Sequence, residues 1–320
     1  MSLNDSAFLV IEPLFAHPEH YSISVNNVGG TRVIDCGILS TGSIDAGLFM
    51  ARAAMAGLGN VHISSQHDST CTSPTDAWKI ISVDSTSPVT ACLASQYAGW
   101  KIDHDGYFAM TSGPIRAAIG KEELFGLIGH CEKTNLAVGV IESDTLPTKR
   151  VCQQLADDAH VSPHNLILLV AKTASQAGML QVTARSVETA IHKLHDLGFD
   201  LNRIVAGSGT APLAPIPQEN ITAIGRSNDA ILYGGHVVLN VTGDDASLIE
   251  IGPRAASQAS PDYGMLFCEI FKNAGGDFYN IDPSLFAPAV IDFVNVDTGS
   301  MHSFGELAPT IVEKSFLAIG

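Results

Sequence analysis

The sequence predicts an α+β (mixed α/β) chain built from two α/β-type subdomains, and three observations lead there. Stretches with strand character alternate with stretches of helical periodicity. The connections between them are uneven and no regular βαβ repeat recurs, which argues against a doubly wound sheet. At 320 residues the chain is long for one hydrophobic core, so two subdomains are the default. No low-complexity linker or internal repeat separates the halves, so residues 1–320 are taken as one unit with its internal boundary open.

The elements follow from local patterning. The first 28 residues look like an irregular arm or a poorly matched opening helix. Thr31 to Cys36 is a short strand, Gly37 to Ser43 a Gly/Ser turn, and Ile44 to Ala56 a helix of small residues. Val61 to Ser65 and Ala77 to Val83 alternate as strands, and Val89 to Tyr97 is helical. Leu136 to Glu142 is a buried strand, Thr148 to Ala159 a helix, and Asn165 to Ala171 a strand around the apolar run Leu166 to Ala171. Residues 173–200 hold a helix in which Val187, Ala190, Ile191, Leu194 and Leu197 recur at helical spacing as a buried stripe. Gly198 stands where a left-handed helix stop belongs.

Composition excludes several classes. Hydrophobic residues make up 46% and charged residues 16%, which fits a well-buried globular protein and not a disordered one. No run approaches the roughly 18 apolar residues of a membrane helix, and no basic leader precedes an apolar core, so a cytoplasmic location with no membrane partner is expected. The net charge is −16 with only 17 basic residues, which makes nucleic acid an unsuitable partner and favours a cationic ligand at long range. Six widely spaced cysteines (Cys36, Cys71, Cys92, Cys131, Cys152, Cys268) form no CxxC pair and are expected to be reduced, mostly buried thiols. Two HxxH pairs, His17/His20 and His192/His195, are set aside as lacking the further ligand of a zincin motif, so no metal is expected.

Candidate chemistry centres on the 173–200 helix. Arg185 and Glu188, three residues apart, fall opposite the apolar stripe with His192 and His195, and at that spacing their side chains can touch. A carboxylate beside a guanidinium stays ionised and can accept a proton. The same spacing also describes an ordinary ion pair on a solvated face. Ser112-Gly113-Pro114 with Arg116 reads as a turn feeding a helix at Ile115 to Ile119, where exposed amides suit an anionic or carbonyl-bearing ligand; a plain Gly-Pro turn is the alternative. Arg226, Asn228 and Asp229 form a donor/acceptor cluster or, equally, a helix cap with local ion pairing. Gly207-Ser208-Gly209 follows a strand-like Ile204-Val205 but breaks at Pro212, so it is no dinucleotide fingerprint; a GxSxG elbow is also missing. Tyr263, Phe267, Phe271, Phe278, Tyr279 and Phe286 read as core before stacking platform.

Four blocks carry a resemblance to a known family: Gly99 to Ala117 (GWKIDHDGYFAMTSGPIRA), Thr173 to Asp200, Ala211 to Gly235 (APLAPIPQENITAIGRSNDAILYGG) and Asp262 to Gly299. In this order they resemble the methenyl-tetrahydromethanopterin cyclohydrolases, from about Gly29 to Phe316. The resemblance implies two subdomains side by side with a pterin pocket between them, a homotrimer, and no metal or redox cofactor bound for catalysis. Tetrahydromethanopterin, or its dephospho form, would be the C1-carrier substrate, passing between its 5,10-methenyl and 5-formyl states. It further implies Glu188 as general base, supported by Arg185, and Arg226, Asn228 and Asp229 at a pterin edge. Ser112, Gly113, Arg116 and, in the C-terminal KSF segment, Ser315 would contact substrate. Some relatives carry Lys where this chain has Gln96 and Tyr97, and Lys101 is the substitute considered. The reaction runs in opposite directions in methanogenesis and in formaldehyde oxidation. Cys and His content with few lysines favours a mesophilic methylotroph.

Overall fold

The computed structural model describes residues 1–65, 78–104, 106–130 and 132–318. Cys71, Cys131 and Ala77 lie outside them. In chain order the first elements are α1 (Leu3–Ile11), α2 (Pro13–Ala16), β1 (Ser24–Val28), β2 (Thr31–Gly37), α3 (Ile44–Ala54), β3 (Gly59–Ser65) and β4 (Lys79–Ser85). Then come β5 (Trp100–His104), β6 (Tyr107–Ser112), α4 (Ile115–Ile119), α5 (Glu123–Leu127), β7 (Ala137–Glu142), α6 (Lys149–Asp158) and β8 (Leu166–Ala171). The rest are α7 (Gln176–Thr183), α8 (Ser186–Asp196), β9 (Ile204–Pro212), α9 (Asn220–Leu232), β10 (His236–Val241), α10 (Asp245–Ile251), α11 (Phe267–Asn273), β11 (Val290–Asn295), β12 (Met301–Gly305) and α12 (Pro309–Leu317). The chain is thus α+β, with two six-stranded mixed sheets.

Two compact units result, residues 1–60 with 89–181 and residues 61–88 with 182–320. The boundary that the sequence left open is not a linker at all. The chain enters the second unit for 61–88, returns, and leaves again after 181. No composition shift marks such an excursion.

The first unit holds a sheet in the order β1-β2-β8-β7-β6-β5, with β2, β8 and β7 parallel and the outer pairs antiparallel. Period-two alternation sorts the central strands into two cores. Ile34, Ile167, Leu169 and Val140 pack with Ala7 and Ile11 of α1 and Met50 of α3. Val33, Leu168, Val170 and Ile141 pack with Val151 and Leu155 of α6. All six residues of β8 are buried, as befits a parallel strand covered on both faces.

The N-terminus is ordered helix, not an irregular arm. Ser2 and Asp5 form a reciprocal capping box, and Leu3, Ala7 and Ile11 recur on the buried face. Asn4 is buried on the same face. Its Nδ2 donates to Pro114 O at 2.8 Å, and its Oδ1 accepts from Val138 N at 2.8 Å. The strand β1 was also not expected. Its sequence SVNNV is polar and only half-buried because it is an antiparallel edge strand, joined to β2 through Gly29 and Gly30 at φ +65° and +104°.

The second unit holds the order β12-β11-β10-β9-β4-β3, with β10 and β11 parallel and β12–β11, β10–β9 and β9–β4 antiparallel. Gly207 and Gly209, set aside as a nucleotide motif, are buried positions of β9 beneath α8. A Cβ at Gly207 would lie 3.1 Å from Val187 Cγ1, and one at Gly209 would lie 2.6 Å from Ser186 Oγ. The two glycines let α8 approach the sheet. Among the described residues no helix is long and apolar enough to cross a membrane.

Candidate active site

The 173–200 segment is two helices, not one. The ladder of α7 ends at Thr183, Arg185 N donates to Val182 O at 3.1 Å in a tight turn, and Thr189 N starts a new ladder on Arg185 O at 2.8 Å. Arg185, at φ −97° and ψ 10°, is therefore the residue that opens α8, and Glu188 lies in its first turn. Neither is on a solvated face: Arg185 is 8% exposed and Glu188 6%. A buried guanidinium and a buried carboxylate in one helical turn is a costly arrangement for a merely structural surface, and helix-start amides favour a negative charge at Glu188.

Between them sits Ser186, 1% exposed, whose Oγ has no hydrogen-bond partner among the described residues. Sequence reasoning passed over it, and also over Lys193. That lysine is buried on α8 with Nζ donating to Ser284 O at 3.1 Å, and burial pushes its ammonium below the usual lysine range. Nothing in the sequence flags Lys193, because a lysine between His192 and His195 reads as a solvated face. The stripe Val187, Ala190, Ile191 and Leu194 is buried as expected, and Gly198 has φ +77°.

Elsewhere in the second unit the structure brings Arg226, Asp229 and Ser315 together and leaves Asn228 apart. Asp229 is completely buried; its Oδ1 accepts from Phe267 N at 2.9 Å and its Oδ2 from Ser315 Oγ at 2.6 Å. Desolvation pushes its carboxyl up to about 7, against the lowering effect of those two donors. Arg226 spends its guanidinium on carbonyls: Nε donates to Ser315 O at 3.2 Å, Nη1 to Pro215 O at 2.9 Å and Nη2 to Ala318 O at 2.6 Å. The three residues tie α12 and Ala318 to α9 and α11. Asn228 Nδ2 donates within its own helix, to Ile224 O at 2.9 Å.

In the first unit Ser112, Gly113 and Arg116 meet at the turn after β6, which leads into α4 as expected. The expected exposed amide at Gly113 is not open. Gly113 N donates to Ser95 O at 2.8 Å, and a Cβ there would lie 3.2 Å from Val140 N. Arg116 is 1% exposed, forms a bidentate pair with Glu122 at 2.9 and 2.6 Å, donates to Leu93 O at 3.0 Å, and lies over the Tyr97 ring at 4.9 Å. Ser112 is buried, its Oγ 3.4 Å from Val140 O. Lys101, on the edge strand β5, lines a groove of about 180 Å³ with Trp100, Asp103, Gln154 and Asp158. That is below the roughly 300 Å³ at which ligand pockets begin.

The aromatic residues divide. Phe267 packs against Phe271, Phe278 and Phe286 with centroids 5.9–6.2 Å apart, a core cluster, whereas Tyr279 is 60% exposed. The thiols of Cys36, Cys92 and Cys152 are buried and that of Cys268 is partly buried; burial pushes the Cys152 thiol up to about 11.

Residues 2–316 match the family model described as cyclohydrolase (MCH). Three relatives named methenyltetrahydromethanopterin cyclohydrolase are similar over most of their length. The protein of Methylobacillus flagellatus is 41% identical over 90% of this chain and 86% of its own. That of Methylobacterium sp. (strain 4-46) is 40% identical over 98% and 97%, and that of Methanosarcina mazei 38% identical over 99% and 98%.

Proposed function

Since the chain belongs to the methenyltetrahydromethanopterin cyclohydrolase family and is a hydrolase of a cyclic C–N bond, we propose that it interconverts 5,10-methenyl- and 5-formyl-tetrahydromethanopterin, with Glu188 handling the proton. The observation that carries the assignment is the burial of Glu188 and Arg185 together at the start of α8. The methenyl carbon is already an electrophile, because its positive charge is shared between two nitrogens. Water bonds to that carbon as Glu188 accepts one of its protons. The bond from carbon to one nitrogen then breaks, the electron pair stays on nitrogen, and Glu188 returns the proton there. The remaining hydroxyl proton leaves to solvent, and the formyl group remains on the other nitrogen. Carbon changes no oxidation state, so the step calls for no redox group.

Arg185 keeps Glu188 ionised, or stabilises charge developing on the attacking oxygen. Ser112, Gly113 and Arg116 in the first unit and Arg226, Asn228, Asp229 and Ser315 in the second are the further candidates for substrate contact, each taken within its own unit. The tetrahydromethanopterin carrier, in its phosphorylated or dephospho form, is the substrate. A homotrimer in the cytoplasm is the expected state. Relatives come from both Methylobacterium and Methanosarcina, so either physiological direction is compatible with the fold.

The test is to add the protein at far below stoichiometric amount to 5,10-methenyl-tetrahydromethanopterin and follow the methenyl absorbance. Many turnovers per chain are expected. A decrease that stops at one equivalent would make the protein a pterin binder, and no decrease would remove the pterin altogether.

A further inference from the structure

We propose that His17, Glu19 and His20 form a solvent-facing site for a divalent transition ion of the zinc class. It is independent of the cyclohydrolase chemistry. Sequence reasoning set this HxxH pair aside for want of another ligand, but the intervening Glu19 supplies one in space. Among the described residues these three are the one group of three or more His, Cys, Asp or Glu whose ligand atoms converge, all within 4.8 Å of one another.

The backbone explains the convergence. Pro18–Tyr21 is a single 3-10 turn opened by His17, and side chains three apart on such a turn eclipse. His17 and His20 accordingly stack, with ring centroids 4.9 Å apart and planes at 20°. The Glu19 carboxylate closes the third side, with Oε1 3.4 Å from His17 Nδ1.

The turn is also held in place. Pro18 fixes one φ, Ser22 ends the turn at φ +53°, and Ile23 N donates to Pro18 O at 3.2 Å. Buried Leu14 before it and Ile23 after it anchor both flanks in the core. The backbone is therefore preorganised, and only the exposed side chains have to move.

Two imidazoles and a carboxylate suit Zn²⁺, Co²⁺ or Ni²⁺, and are too nitrogen-rich for Mg²⁺ or Ca²⁺. Zinc–ligand bonds of about 2.0–2.1 Å place tetrahedral ligands roughly 3.3 Å apart. Rotations of exposed side chains cover the remaining gap. Three protein ligands leave a fourth position for water.

The experiment is calorimetric titration of the chelator-stripped full chain with Zn²⁺ alone. One equivalent is expected on the wild type. His17→Ala and His20→Ala should each weaken it by at least roughly 10–100-fold, the loss that follows removal of even an outer-shell partner. His192→Ala, which removes the other HxxH pair, should leave it unchanged. His17 and His20 are exposed and His192 is half-buried beside Asp196, and an unchanged melting temperature in metal-free buffer checks that each variant is folded. The site does not exist if the wild type binds no equivalent of Zn²⁺, or if the His17→Ala/His20→Ala double variant still binds it. Pterin turnover is not read in this experiment, so its failure and that of the cyclohydrolase assignment are separable.

Discussion

Ser186 Oγ occupies the space that a side chain on Gly209 would need: a Cβ at Gly209 would lie 2.6 Å from it and 3.0 Å from Val187 Cγ2. The glycine on β9 thus sets how closely the start of α8, with Arg185 and Glu188, lies to the sheet.

Gly209→Ala is expected to fold, to lose about 1–3 kcal/mol of stability through overpacking, and to lose turnover more than that loss explains. Ser186→Ala alone should be nearly neutral, because it removes a buried hydroxyl without a partner among the described residues. Combined with Gly209→Ala it should restore part of the activity. Wild-type kcat in Gly209→Ala, or no recovery in the double variant, would disprove the coupling.

Glu188→Gln keeps shape and hydrogen bonding but cannot take a proton. It should retain the fold and much of the affinity for pterin while kcat falls by about 10²–10⁴-fold, the usual loss for a general base. Near-normal hydrolysis of the methenyl substrate would show that another group handles the proton.

Arg185 has two roles that substitutions separate. Its backbone opens α8 whatever the side chain, since only its carbonyl accepts from Thr189 N. If the guanidinium chiefly keeps Glu188 ionised, Arg185→Lys retains part of the activity, and Arg185→Ala shifts the acid limb of the pH–rate profile upward. If the planar fork orients water or charge, Lys fails nearly as badly as Ala. We expect the first result. An unmoved acid limb in Arg185→Ala leaves only the second.

Asp229 makes stability depend on pH. Burial disfavours its charge and pushes its folded pKa up to about 7, well above the ordinary aspartate value of 3.8. The folded state therefore holds a proton that the unfolded state releases. This stabilisation is complete below about 4, is lost progressively as pH rises to about 7, and changes no further above that. Asp229→Asn can still accept from Phe267 N and donate to Ser315 Oγ. Urea midpoints between pH 5 and pH 8 should fall less for this variant than for the wild type. Parallel pH dependences would assign the trend elsewhere.

What could be read in the chain was what local periodicity records. Thr31 to Cys36, Leu136 to Glu142 and Asn165 to Ala171 were legible as strands, and each falls within a residue or two of β2, β7 and β8. The stop at Gly198 was legible because a left-handed residue there favours glycine. The break before Arg185 was not, since no Gly or Pro lies between Gly178 and it. The opening helix could have been found from Ser2 and Asp5, but β1 could not, because half-exposed edge strands lose their apolar signature. The spacing of Arg185 and Glu188 on one helical turn was legible. Their burial was not, because the glycines that admit α8 to the sheet sit on a distant strand.

The excursion of residues 61–88 into the second unit governs how the chain can be made. β4 ends at Ser85, yet its hydrogen-bonded neighbour β9 begins only at Ile204. During synthesis the β3–β4 segment leaves the ribosome long before the strand β9 it must join, while residues 89–181 complete the other unit. A nascent chain in this state carries an unpaired strand edge, the feature that invites aggregation. Neither unit can be cut out as a continuous fragment. A chain stopped near residue 181 would be a first unit trailing an unpaired strand, not an independent half of the enzyme.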